Sequence, residues 1–113
     1  MRIVVHSKKI QTDESVQDYL DRRVRFALSR FSPCVARVAV HLADINGKRG
    51  GVDKRCRIVV GLVPSGRVQV EDTDDDLYAV IARAADRIQR AVGHELERRR
   101  DGARTRSVTD GDD

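Results

Sequence analysis

Tryptophan is absent and only four aromatic side chains, Tyr19, Phe26, Phe31 and Tyr78, occur in 113 residues. A sheet that reads bases on a platform of aromatic rings is thereby excluded. Cysteine is scarce too, and Cys34 and Cys56 lie too far apart for a CxxC redox or zinc motif. No apolar run approaches the length of a membrane span. The opening MRIVVHSKK turns polar at His6, unlike a secretory signal. The sequence therefore predicts a cytoplasmic protein with reduced thiols and no membrane partner.

Catalytic signatures are also missing. There is no GxSxG, and NGKRGG at 46–51 lacks the GxxxxGK[ST] pattern of a phosphate-binding loop. The acidic run EDTDDD at 71–76 lacks calcium-loop spacing and lies where a helix begins, a place that favours acid in any case. His6 and His41 share the open sheet face by alternation, but no carboxylate at strand or helix spacing supports them as a metal or acid–base pair. No enzyme activity, cofactor, metal or small-molecule substrate is expected.

What the chain has in abundance is positive charge, and it is segregated. Eighteen of 22 basic residues are arginine, and the formal net charge is +4. Residues 1–70 carry +8, 71–76 carry −5, 77–100 carry +3 and 101–113 carry −2. A basic body with its acid confined to one loop and one tail suits a polyanionic partner. Arginine pairs bidentately with phosphate and stacks on bases.

Hydrophobic periodicity gives the order of elements. Residues 2–7 form a strand. Asp13 caps a helix that runs to about Phe31, with Val16, Leu20, Val24, Ala27, Leu28 and Phe31 on its apolar stripe and Pro33 beyond. Residues 35–43, 55–63 and 67–71 alternate as strands. A second helix follows Thr73 or Asp74, with Leu77, Ile81, Ala84 and Ile88 inward, and fades near Arg100. The expected fold class is α+β, in the order β-α-β-β-β-α: a four-stranded mixed sheet with two helices packed on one face. The first two strands would run parallel through a right-handed crossover. Residues 1–100 make one α/β domain, and 101–113 a disordered polar tail.

The helices carry the candidate site. Arg83, Arg87, Arg90 and His94 follow i, i+4, i+7, i+11 and form one stripe without acid, beside the core stripe. On the first helix Tyr19, Arg23, Phe26 and Arg30 share that spacing, and Arg22 and Arg25 cover its outer face. Flanks of this kind can receive a phosphate backbone and stack on unpaired bases. Two simpler readings stay open: Tyr19 and Phe26 widening the core face, and the second-helix stripe being a solvated surface. Arg2, Arg37, Arg55, Arg57 and Arg67 project from the other sheet face. A double-stranded-RNA domain does not fit, because a strand precedes the first helix.

Three segments together resemble a known family. DDLYAVIARAADRIQRAV at 75–92, TDESVQDYLDRRV at 12–24 and VHLADINGKRGGVDKRC at 40–56 are similar to the short ribosome hibernation and ribosome-associated translation inhibitor proteins, also called sigma-54 modulation or ribosomal subunit interface proteins; the third matches a subgroup with a glycine-rich loop. The resemblance implies the same strand–helix order, binding to small-subunit rRNA in the decoding channel, and inhibition of translation under stress. It carries the family's basic helix positions onto Arg87, Arg90, Arg23 and Arg83. Glu95 and Glu97 interrupt what is a lysine-rich helix end in the family, and the chain ends before the dimerising domain of longer members. Periodicity and the resemblance together give an expected RNA-binding set of Arg22, Arg23, Arg25, Arg30, Arg83, Arg87 and Arg90. The partners that the resemblance implies are the small ribosomal subunit and its rRNA. A second reading is an interaction regulator that dimerises or binds an acidic protein such as a transcription factor.

Overall fold

The computed structural model describes residues 1–45 and 53–112, with side chains as far as Gly102. The glycine-rich loop singled out in the sequence lies, for residues 46–52, outside the described residues. The elements are β1 (Arg2–Lys8), α1 (Glu14–Leu28), a 3-10 helix (Ser29–Cys34), β2 (Val35–Asp44), β3 (Lys54–Leu62), β4 (Arg67–Asp74) and α2 (Leu77–Asp112). The sheet order is β1-β2-β3-β4. β1 and β2 are parallel, and the other pairs are antiparallel. This is the α+β arrangement that the periodicity predicts.

Alternation on the strands sorts the side chains into two layers. Val38, Val40 and Leu42 of β2 and Cys56, Ile58, Val60 and Leu62 of β3 are buried. They meet Val16, Leu20, Val24 and Leu28 of α1 and Val80, Ile81, Ala84, Ile88 and Val92 of α2 in one cluster. Burying one such side chain stabilises the fold by about 1.5–3 kcal/mol. Both helices pack on this one face, so the other face carries no apolar core.

The ends of the elements differ in instructive ways from the sequence expectation. Asp13 does cap α1: its Oδ1 accepts from the Val16 N–H at 2.9 Å. The α-helix stops at Leu28, before Phe31, because the chain tightens into a 3-10 turn ahead of Pro33, which has no N–H to give to an α ladder. β4 continues to Asp74, so neither Thr73 nor Asp74 caps α2. The Asp76 carboxylate takes that part instead, accepting from Tyr78 N at 2.9 Å and Ala79 N at 3.4 Å. The turn before β4 needs Gly66, whose φ is +105°. The sequence boundary at residue 100 falls inside α2, whose backbone continues to Asp112. No proline lies beyond Pro64 to forbid those turns.

Candidate nucleic-acid interface

On the helix side, α1 and α2 lie against one another and Arg23 ties them. Its guanidinium donates to the Ala82 carbonyl at 3.3 Å and pairs with Asp86 at 3.2 Å. Tyr19 packs edge-on against Tyr78, ring centroids 5.0 Å apart, and against the core. Phe26 does not: it is 77% exposed. The two aromatics of α1 therefore divide between the two readings, Tyr19 widening the core face and Phe26 standing in solvent. Tyr19, Arg22, Arg23, Arg25 and Phe26 line one open depression of about 620 Å³. A second, of about 280 Å³, is lined by Arg30, Phe31, Gln89, Arg90, Gly93, His94 and Glu97. Arg30 sits over the Phe31 ring, 5.1 Å from its centroid.

The second-helix stripe splits in two. Arg83 and Arg87 turn toward the acidic end of β4. Arg83 pairs with Asp72 at 3.3 Å and Asp74 at 2.6 Å. Arg87 pairs with Asp72 at 3.3 Å and donates to the Glu71 carbonyl at 2.8 Å. Burial pushes the Asp72 carboxyl up, but the Thr73 N–H and the two guanidiniums outweigh it and hold it below its ordinary value. Asp74 is held lower still, first by the Asp76 N–H and then by Arg83. Arg90 has no such partner among the described residues and joins Arg30 and His94 in the second depression.

Arg25 is matched to Asp21 at 2.8 Å, one turn away on α1. Of the seven arginines in the expected set, Arg22, Arg30 and Arg90 have no carboxylate partner among the described residues. Arg23, Arg25, Arg83 and Arg87 do. The stripe looked free of acid because its neutralising acids come from another element. The signal was present: alternation puts Asp72 on the same side of β4 as Val68 and Val70, which is the side α2 covers.

The opposite sheet face holds what the expected set left out. Its residues fall into rows across the sheet. One row is Arg2, Arg37, Gly61 and Arg67; the next is Val4, Ala39, Val59 and Gln69; the third is His6, His41, Arg57 and Glu71. The His6 and His41 rings stack, centroids 4.9 Å apart. Partial burial, then Arg57, His6 and Arg55, keep His41 below its ordinary value, so it stays neutral near pH 7. Among the described residues no group of three or more His, Cys, Asp or Glu could hold a metal ion. Nor is any described helix long and apolar enough to cross a membrane.

A four-stranded sheet backed by two helices, with basic side chains on both sides, defines a two-layer α+β domain. Its family follows from comparison with known proteins. Residues 3–100 match the family described as sigma 54 modulation protein / S30EA ribosomal protein, and the chain belongs to it. A ribosome hibernation promotion factor of Picosynechococcus is 26% identical over 93 residues, which cover 81% of this chain and 47% of that protein. The chain thus spans about half the length of that curated relative. The N-terminal domain of Thermus thermophilus Protein Y superposes with a TM-score of 0.64 at 30% identity, covering 79% of this chain and 92% of that domain. A ribosomal subunit interface protein from Coxiella burnetii shares the fold, with a TM-score of 0.67 at 12% identity, over 85% of this chain and 99% of that one.

Proposed function

We propose that this chain is a cytoplasmic, ribosome-associated factor that binds small-subunit rRNA in the decoding channel and inhibits translation by occupancy, as in hibernation or stress. Family membership and the names of its relatives support a ribosomal partner. The observation that carries the RNA contact is the helix-side surface, where Phe26 stands 77% exposed and shares a depression with Arg22 and Arg25. An exposed ring beside guanidiniums offers stacking to an unpaired base and charge to its phosphate. Arg30 and Arg90 extend the same side. Arg23, Arg83 and Arg87 hold α1, α2 and β4 together and set the shape of that surface. No bond is made or broken in this mechanism: the domain excludes mRNA and tRNA by filling their place, without cofactor or small-molecule substrate.

Sedimentation with purified small subunits tests this reading. Arg22 and Arg90 have no carboxylate partner among the described residues, so Arg22→Glu/Arg90→Glu is expected to leave the circular dichroism spectrum and Tm near wild type. The variant is expected to stay at the top of the gradient while wild type moves with the subunit. Normal co-sedimentation of a folded variant would defeat the helix-side assignment.

A further inference from the structure

Beside Arg22, Arg30 and Arg90 on the helix side, the described residues carry a second set of arginines without carboxylate partners, on the sheet face. Arg2, Arg37, Arg57 and Arg67, one from each strand, have no carboxylate partner among the described residues. The face's acid is Glu71, and it lies 3.9 Å from Arg55. Arg2 and Arg37 are direct register partners, an arrangement of like charges that works against the sheet. Between the two charged rows runs a floor of Val4, Ala39 and Val59, and together they enclose a trough of about 780 Å³. The rows stand four residues apart on each strand, about 13 Å. Gly61 adds to the opening: a Cβ there would meet the Arg37 side chain at 3.4 Å.

We infer that the open sheet face is a second RNA-backbone site, and that the domain bridges two RNA segments, one on each side of its α/β layers. The sheet site stands on its own; the bridging rests on the helix-side reading. Charge complementarity selects the occupant. A second copy of this face would bring like charge against like charge. A phosphate strand laid along the trough meets Arg2, Arg37 and Arg67 on one bank and Arg57 on the other, and its negative potential opposes the part of the His41 shift that comes from Arg57 and Arg55, which adds to that of burial. The floor is aliphatic, with the stacked imidazoles as its ring surface, so the face contacts backbone and does not read bases.

The test uses a fluorescein-labelled single-stranded RNA of mixed sequence. Wild type, Arg37→Gln/Arg57→Gln, Arg22→Glu/Arg90→Glu and the combined variant are titrated across a range of salt. Arg37 and Arg57 lie on the face opposite the core, have no carboxylate partner among the described residues, and Arg37→Gln removes a like charge beside Arg2, so the sheet pair is expected to keep the wild-type fold and Tm. Wild type should bind two RNAs by native mass spectrometry and bring donor- and acceptor-labelled strands together. Each two-residue variant should bind one and lose that transfer. Two lost phosphate contacts should also lower the slope of log K against log salt by about 1.4. If the sheet variant keeps wild-type stoichiometry, slope and energy transfer, the sheet site is wrong. A single RNA lost only with the helix variant also refutes it. A single RNA lost only with the sheet variant upholds the sheet site and refutes the helix-side reading and the bridging. Equal displacement by charge-matched poly-glutamate would refute RNA as the occupant.

Discussion

Asp72 is the point where fold stability and RNA affinity are expected to pull apart. Its carboxylate accepts from Arg83 and Arg87, both at 3.3 Å, and from the Thr73 N–H at 2.8 Å. Asp72→Asn keeps the shape and an oxygen for Thr73 but removes the charge. Arg83 retains Asp74 at 2.6 Å, whereas Arg87 is left with only the Glu71 carbonyl at 2.8 Å. Both guanidiniums are nearly half exposed, and Arg83 keeps Asp74, so the loss falls on the Arg87 pair, which solvent screening holds to at most about 1 kcal/mol. The expected loss is about 1 kcal/mol, or roughly 5 °C in Tm for a domain of this size. RNA binding should move the other way. One released guanidinium steepens the salt slope by about 0.7–0.9, and affinity near 0.1 M salt rises about three- to tenfold. Thermal melts paired with salt-dependent fluorescence anisotropy measure both. A variant that loses stability and also binds RNA more weakly would show that Asp72 presents Arg87 to RNA instead of withholding it. An unchanged slope would remove Arg87 from the interface.

Other expectations follow from single residues. Burial, then Asp72, pushes the Cys56 thiol up to about 12, so Cys34 should react first with a thiol reagent and Cys56 only on unfolding. His41 titrates below its ordinary value when folded, so the unfolded chain takes up the proton first. Its contribution is complete above about pH 6.5 and is lost as pH falls through the folded value; Tm from pH 8 to 5 should fall less in His41→Gln. Asp13→Ala removes the α1 cap and should cost about 0.5–2 kcal/mol by urea denaturation, with the m-value unchanged.

Most of the fold was legible because burial follows period. Val38, Val40 and Leu42 alternate, and Leu20, Val24 and Leu28 recur by helical turns; each is buried as its spacing requires. Element ends were less legible, since they depend on competition between neighbours. Asp72, Asp74 and Asp76 could each serve a strand, a cap or an ion pair, and only packing decides among them. The basic surface was legible in kind but not in balance. Helical periodicity lines up Arg83, Arg87 and Arg90 on one element, and nothing in that period shows that β4 brings acid to the first two. On the sheet face the reverse holds: alternation alone placed Arg2, Arg37, Arg57 and Arg67 together, and no other described element neutralises them.

Occupancy of the decoding channel is tested most directly by competition on purified small subunits. Labelled mRNA and tRNA are bound first, and the protein is then added to saturation. Both are expected to be displaced, and prebound protein is expected to block their entry in proportion to its own occupancy. Subunits that hold the protein, mRNA and tRNA together at saturation would contradict it.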